Sequence, residues 1–392
     1  MQYIPRNIEP HLHQCLSLFP AVVLTGPRRV GKTFMLRKVL PDASYVQLEN
    51  PDTVLSVKAD PRGFLDALTL PAIIDEIQEV PELFNYIRSR IDADPEAKGR
   101  WILTGSQEAL LMQNVSESMA GRAAILRLSP FGLGESPKVT PFAGGYPEAL
   151  TAGRHASIWY SSYLQTYLER DVRSILAVRD LMTFRRFLRL LATRHGQMLN
   201  KTDLAAPLGI SVPTLTQWLN VLELSGIIYR VPPFYRNAGK RLVKTPKIYF
   251  ADSGLLCHLL GIQSAADLRT SPFAGAVFEG FVISEVCKVQ LAAGKEAEVY
   301  YFRDEQGLEV DLVLAPQAGR ILLAECKSAT TVTPSMAAPM RRLADSLVRE
   351  GYEVTSHLIH TPGKSEWAAP SAGAGTRVLS PADFIATLAK TV

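Results

Sequence analysis

Short apolar runs alternate with helical stretches through the first third of the chain. Ala21-Val22-Val23-Leu24-Thr25 reads as a buried strand followed by glycine and a helix start, and Tyr45-Val46-Gln47-Leu48-Glu49 alternates as a half-buried strand does. Ala72-Ile73-Ile74-Asp75, Trp101-Ile102-Leu103-Thr104 and Ala124-Ile125-Leu126-Arg127-Leu128 supply three more. Strands spaced by helices imply right-handed crossovers and a mostly parallel sheet covered on both faces. From about 158 to 195 the pattern turns helical and arginine-rich, with Arg170, Arg173, Arg179, Arg185, Arg186, Arg189 and Arg194 facing only Asp171 and Asp180 after position 169. A solvated helix face is the simplest reading of that run. Residues 190–260 read as two short helices, a glycine turn and short strands. The last unit, from about 273 to 392, opens with a helix and continues as a β-meander.

Composition narrows the class. The chain has 392 residues, 47% hydrophobic and 20% charged, enough for more than one packed domain and unlike a disordered chain. A net charge of +4 is too small for a wholesale polyanion binder, so any nucleic-acid surface must be local. Cys15, Cys257, Cys287 and Cys326 lie far apart with no CxxC, which argues against zinc and a disulfide framework and for reduced thiols in a cytoplasmic protein. The first residues lack an apolar signal core and no apolar run approaches 18 residues, so no membrane partner is expected.

Gly26-Pro27-Arg28-Arg29-Val30-Gly31-Lys32-Thr33 fits G-x-x-x-x-G-K-[ST], between a strand and a helix as the mechanism requires. The glycines let backbone N–H groups turn toward phosphate oxygens at a helix N-terminus. Lys32 is expected to reach the β- and γ-phosphates of ATP, and the Thr33 hydroxyl to bind Mg2+. The strand 72–75 ends in Asp75-Glu76, at the carboxyl edge where ligands bind in α/β sheets. Asp75 is expected to hold the metal through water and Glu76 to act as general base, favouring hydrolysis over mere binding. Leu103-Thr104-Gly105-Ser106-Gln107 closes a third strand, either on the γ-phosphate or as an ordinary turn. Arg122 and Arg170 are candidate arginines for transition-state charge, in cis or from a neighbouring subunit, with surface salt bridges as the alternative.

Residues 201–211 read as helix, tight turn and N-cap of a second helix. Ser211 caps, Pro213 sits in the first turn, and Leu215, Leu219 and Leu222 form the core stripe. Two strands follow, as in a winged helix-turn-helix. Positions 211–224 contain no Lys or Arg, whereas the wing carries Arg230, Arg236, Lys240, Arg241, Lys244 and Lys247 with no acid. Phosphate contacts position without reading sequence, so Arg236, Lys240, Arg241 and Lys244 are expected to hold DNA sequence-tolerantly. The alternative is a wing used against protein.

In the final unit a strand through Asp311 and a strand through Glu325-Cys326-Lys327 pair as a hairpin and bring the acids together. Period-two geometry puts Glu325 and Lys327 on one face, and the helical Phe278-Glu279-Gly280-Phe281 supplies Glu279. Carboxylates plus a lysine suit Mg2+-assisted phosphodiester hydrolysis, with Asp311 and Glu325 as metal ligands and Lys327 on the nucleophilic water. The constellation resembles the PD-(D/E)xK nuclease-like pattern. An edge-strand Glu–Lys pair among surface acids is the alternative.

TGPRRVGKT, AIIDEIQ, WILTGSQ, SMAGR, LSPF and YLERDV, in that order, resemble a large family of bacterial and archaeal AAA-type ATPases with a C-terminal domain of unknown function. LGISVPTLTQWLNVLELSGII, KTPKIYFADSGL, FEGFVISE, EVDLVL and AECKS extend the resemblance over nearly the whole chain. It implies a P-loop ATPase core, homo-oligomer formation, and nucleotide contacts at Gly26, Gly31, Lys32, Thr33, Asp75 and Glu76. The expectation is thus an α/β chain. A parallel-sheet AAA-type core (1–155) precedes a helical lid (156–188), a winged helix-turn-helix (189–262) and an α+β nuclease-like domain (263–392). Its expected work is ATP hydrolysis coupled to DNA, with a Mg2+-dependent nuclease site. The rival is a non-nucleolytic ATP switch whose C-terminal part binds a protein. A nucleoside or small-molecule kinase shares the phosphate loop, but the helix-turn-helix, the long C-terminal extension and the water-directed Asp75-Glu76 pair argue against it.

Overall fold

The computed structural model describes residues 3–105, 118–176, 181–234, 245–362 and 375–391, with the side chains of 167–176 and 316 excepted. Two compact units divide it. One comprises Met1–Phe131 with Leu224–Gly226 and Leu291–Gly294, and the other Gly132–Glu223, Ile227–Gln290 and Lys295–Val392.

The first unit is built on a parallel five-stranded sheet in the order β2-β3-β4-β1-β5. Its strands are β1 (Ala21–Thr25), β2 (Ser44–Gln47), β3 (Ala72–Asp75), β4 (Trp101–Thr104) and β5 (Ala123–Arg127). The three inner strands are buried at every position, as their unbroken apolar runs require, while the edge strands β2 and β5 stay partly exposed. Helix Leu83–Ala93 packs Leu83, Phe84, Ile87 and Ile91 into the same core as Val23, Ile74 and Leu103. All five expected strands are present. This order seats β1 between β4 and β5, so the phosphate loop leaves an interior strand of the sheet.

The second unit holds the helical region, the hairpin and a mixed sheet. Helices Ala156–Leu176 and Leu181–Thr193 carry Arg170, Arg173, Arg185, Arg186 and Arg189 of the arginine-rich stretch, Arg194 follows the second helix, and Arg179 lies outside the described residues. Helices Lys201–Ala205 and Val212–Leu224 follow, the second capped by Ser211, whose Oγ accepts from Thr214 N at 3.2 Å. Leu215, Trp218, Leu219 and Leu222 are buried, so the expected leucine stripe is real and includes a tryptophan. β6 (Ile228–Val231) and β7 (Lys247–Phe250) pair antiparallel.

The C-terminal sheet runs β12-β11-β10-β9-β8. β8 (Tyr300–Arg303), β9 (Glu309–Gln317) and β10 (Arg320–Lys327) form the expected meander, but it ends there. β11 (Glu353–His360) and β12 (Thr376–Leu379) are parallel to β10. The meander expectation is therefore corrected to a mixed sheet. The cause is helix Ala338–Arg349, which buries Met340, Leu343 and Leu347 and provides the crossover that a parallel pair needs. Helix Ala274–Ala292 covers the opposite face with Phe278, Val282, Ile283 and Val286.

Candidate functional site

Gly26 opens the phosphate loop at φ +127°, and a Cβ there would lie 2.2 Å from the Leu128 carbonyl oxygen. Only glycine fits, because the chain leaving β5 passes directly against the loop. Gly31, at φ +93°, has no heavy atom within 4 Å of its would-be Cβ, so it is the left-handed backbone and not crowding that calls for glycine there. Arg29 completes the curl at φ +63°. Helix Lys32–Val39 starts immediately after Gly31, aiming its first N–H groups into the curl. The Lys32 ammonium is buried inside it and donates to the carbonyls of Gly26 (2.8 Å) and Pro27 (3.1 Å). Arg28 reaches Glu49 at 3.7 Å.

Asp75 ends β3 as the hub of a hydroxyl network. Its Oδ2 accepts from Thr33 Oγ1 (2.7 Å) and Tyr45 OH (2.9 Å), and its Oδ1 accepts from Thr104 Oγ1. Burial, and after it the Asp75 carboxylate, hold the Tyr45 phenol well above its ordinary range. Glu76 follows in the left-handed region at φ +57°, with its N–H 3.4 Å from Thr104 Oγ1 and its carboxylate bonded to the Gln78 amide. Thr33 and Asp75 together present the hard oxygen donors that suit Mg2+.

Three residues here escaped the sequence reading. Tyr45 did so because β2 looked like plain packing. Arg6 is buried and donates to the Val30 carbonyl at 3.0 Å and the Ser129 carbonyl at 2.6 Å, with its guanidinium 4.5 Å from the Phe131 ring centre. It braces the loop from far upstream, with no local motif to mark it. Arg127 sits at the carboxyl edge of β5 in register with Thr25, and its Nη2 lies 3.4 Å from the Leu224 carbonyl.

Arg122, by contrast, is not brought to the loop. Its carbonyl accepts from Ala21 N at the amino edge of the sheet, a strand's length (roughly 15 Å) from the phosphate loop. Its guanidinium forms a two-point pair with Asp92 at 2.6 and 3.1 Å. The parallel register makes this geometric: the residue before β5 must lie opposite the ligand edge. Ser106, Gln107 and the side chain of Arg170 lie outside the described residues.

In the second unit, Asp311, Glu325 and Lys327 converge. Asp311 Oδ2 accepts from Cys326 N at 2.9 Å, and the Lys327 ammonium lies 3.0 Å from Glu325 and 3.9 Å from Asp311. Glu325 is buried, and burial with the neighbouring Asp311 carboxylate pushes its pKa up to about 9. Asp311 and Glu325 offer carboxylate oxygens of the kind that suits a hard divalent cation, with the Lys327 ammonium between them and solvent. Among the described residues, no group of three or more His, Cys, Asp or Glu side chains is arranged as a metal cage. Glu279 stands beside the pair. Burial and Asp311 raise its pKa to about 7, and it accepts from Tyr249 OH at 2.5 Å and from Lys247 at 3.1 Å.

Two members of the expected basic wing are thereby corrected. Lys247 is 3% exposed and tied to Glu279 and Glu309, and Arg230 is paired with Glu223. Composition counted them as free cations, but their strand positions turn them toward acids. Arg236, Lys240, Arg241 and Lys244 lie outside the described residues.

His195 fastens this site to the hairpin. Its Nδ1 accepts from Phe250 N at 3.0 Å, and Gly280 is glycine because a Cβ would fall 1.9 Å from Nε2. Burial lowers its pKa to about 3. An unfolded histidine takes a proton below about pH 6.5 while the native ring does not, so stability present above 6.5 is lost progressively toward pH 3. Urea unfolding at successive pH values is expected to show a loss of up to ~1.4 kcal/mol per pH unit from this ring below pH 6. His195→Asn, which keeps an acceptor but cannot titrate, is expected to flatten the slope by that amount. An unchanged slope removes His195 as the source.

Residues 18–136 match a family described as AAA domain, residues 140–266 a domain of unknown function (DUF8612), and residues 274–370 another (DUF4143). Over 345 residues the chain is 34% identical to uncharacterized proteins of Mycobacterium tuberculosis and Mycobacterium bovis, covering 86% of itself and 76% of each relative. The chain belongs to this family. It carries an AAA domain, which binds nucleotide, followed by the two domains of unknown function. Similar solved structures include a Walker-type ATPase of Pyrococcus abyssi (18% identity, TM-score 0.40, 64% of this chain and 94% of that one). Another is the Thermotoga maritima RuvB Holliday junction branch migration motor (19% identity, TM-score 0.30, 58% and 90%). No helix among the described residues is long and apolar enough to cross a membrane.

Proposed function

We propose that this AAA-family chain hydrolyses ATP at residues 26–33, Asp75 and Glu76 and acts on DNA without sequence preference, with a Mg2+-dependent nuclease site at Asp311, Glu325 and Lys327. The observation that carries the ATPase reading is the hydroxyl network on Asp75. Thr33 from the loop helix, Thr104 from β4 and Tyr45 from β2 all converge on one carboxylate beside Glu76.

In that reading the loop N–H groups and Lys32 bind the β- and γ-phosphates, and the ammonium exchanges its two carbonyl partners for phosphate oxygens. Thr33 and Asp75 hold Mg2+, which offsets charge on the phosphates when bound. Glu76 accepts the proton of the attacking water, oriented by Gln78 and Thr104. Arg127, at the ligand edge, is better placed than Arg122 in the same chain. A role for Arg122 at phosphate requires a second copy, which keeps the homo-oligomer within the proposal.

At the C-terminal site Asp311 and Glu325 would hold a Mg2+ ion, which polarises a phosphodiester oxygen and acidifies water when bound. Lys327, about one-third exposed, is reachable by substrate and orients that water. The rival reading, a non-nucleolytic switch that binds protein, draws support from the helix Val212–Leu224, which offers no Lys or Arg, and from the engagement of Lys247 and Arg230 by acids.

The wing separates the two. Neutralising Lys240, Arg241 and Lys244 together is expected to weaken DNA binding almost equally across sequences. It should also flatten the slope of log K against log salt by about 2–3 units. An unaltered salt slope would favour the protein-binding switch.

A further inference from the structure

Leu224, Ser225 and Gly226 belong to the first compact unit, although 97 residues separate Leu224 from Arg127 at the end of its last strand. They make the turn that follows helix Val212–Leu224, and Gly226 stands at φ +69°. A Cβ on Gly226 would lie 3.0 Å from Arg127 Nη2 and 3.0 Å from Pro27 Cγ, so the guanidinium and the second residue of the phosphate loop meet over one face of this glycine. They are at most twice that distance apart. Arg127 Nη2 also lies 3.4 Å from the Leu224 carbonyl, a long hydrogen bond that costs little to give up. The backbone beneath is fixed to the loop. Leu128 N donates to Thr25 O at 3.0 Å, and the Leu128 carbonyl is the oxygen that crowds Gly26.

We propose that Arg127 is a phosphate-contacting residue of the nucleotide site, and that the Leu224 carbonyl is the partner it leaves when nucleotide binds. The proposal rests on the reading of residues 26–33 as the phosphate loop. A carbonyl offers a partial charge and a phosphate oxygen a full one, and hydrogen bonds to ionised acceptors are roughly twice as strong as neutral ones. A guanidinium that reaches its carbonyl at 3.4 Å, on the flank of the loop, is therefore drawn toward a phosphate held there. Arg122 and Arg6 are committed elsewhere, to Asp92 and to the Val30 and Ser129 carbonyls. The arginine comes from within residues 18–136 and the turn from within residues 140–266, two regions matched as separate domains. Trading one acceptor for the other couples nucleotide occupancy to the hold on the end of helix Val212–Leu224. By linkage, that hold opposes nucleotide to the same degree.

Equilibrium binding of a fluorescent, non-hydrolysable ATP analogue to the full chain, with amide hydrogen exchange over residues 224–228 on the same samples, tests this without reference to turnover. Arg127→Gln is expected to weaken the analogue about tenfold. In the parent, saturating analogue should speed exchange at 224–228 by about two- to tenfold, as the turn loses its guanidinium. In Arg127→Gln that exchange should be fast already and indifferent to the analogue. Arg127→Lys guards against a folding defect. It keeps a cation at the same strand position, where one nitrogen makes the contact, and should stay within about threefold of the parent affinity. Parent-like affinity in Arg127→Gln, as large a loss in Arg127→Lys, or exchange at 224–228 that ignores bound analogue in the parent or still responds to it in Arg127→Gln would each overturn the inference while leaving nucleotide at the loop. A parent that binds no analogue, or Lys32→Ala that binds it as the parent does, overturns the phosphate-loop reading and the inference with it.

Discussion

Glu76→Gln is expected to bind ATP as tightly as the parent chain and to turn it over about 10²–10⁴-fold more slowly, the usual worth of a positioned general base. The amide keeps the shape at the end of β3 and can still bond to Gln78, so the left-handed turn at φ +57° is retained. What it loses is the ability to take a proton from water. Lys32→Ala fails earlier, at binding. It deletes the ammonium held within the loop at the Gly26 and Pro27 carbonyls and leaves phosphate charge matched only by backbone dipoles. Equilibrium binding of a fluorescent ATP analogue and steady-state phosphate release separate the two outcomes. Parent-like turnover in Glu76→Gln would take that residue out of the chemistry, and parent-like binding in Lys32→Ala would take the loop out.

The phosphate loop was legible because its parts are consecutive. Gly26, Gly31, Lys32 and Thr33 need only a strand before them and a helix after, and local pattern supplies both. Asp75-Glu76 was legible for a related reason: a short apolar run ending in acids locates the ligand edge of a parallel sheet. Tyr45 and Arg6 were not, because their contacts span 30 and 24 residues and depend on strand order, which no local period encodes. Arg122 illustrates the same limit from the other side. As a residue type it suited phosphate, but the parallel register of β5 with β1 puts it at the wrong end.

The C-terminal site was legible in part. Asp311, Glu325 and Lys327 follow from two adjacent strands joined by a short turn, where alternation and register suffice. The remainder of the site did not follow, because it is assembled across a larger span. Lys247 counted as wing charge, and nothing near it in sequence announces Glu279 or Glu309 as partners. His195 likewise reads as the end of a basic helix, yet it is a buried neutral ring that meets Phe250 and fits against Gly280. Charge tallies treat side chains as solvated, whereas burial decides which of them are available to a ligand.

Asp311→Ala is expected to abolish Mg2+- or Mn2+-dependent strand cleavage, a loss of about 10³-fold or more given the several kcal/mol a metal contributes to such a transition state. ATP turnover should stay within about twofold of the parent, because the proposed ATP site at Thr33, Asp75 and Glu76 belongs to the other compact unit. The size of the loss has two sources. One of two ligands disappears, and the Cys326 N–H that Asp311 accepted loses its partner, loosening the strand that carries Glu325 and Lys327. Lys327→Ala should behave differently. The ammonium contacts both carboxylates and is partly open to solvent, so it acts on water or on the transition state while the acids still hold the ion. Cleavage should therefore fall while Mn2+ affinity holds or rises, since removing a positive charge beside the acids favours a cation. Cleavage assays on linear, branched and single-stranded DNA, run with Mn2+ titrations on the same preparations, read both quantities. If neither the parent nor any variant cuts any form of DNA or RNA with Mg2+ or Mn2+, with or without ATP, the nuclease reading falls. The carboxylate–lysine site is then a binding surface, and the ATP-driven switch becomes the account of the chain.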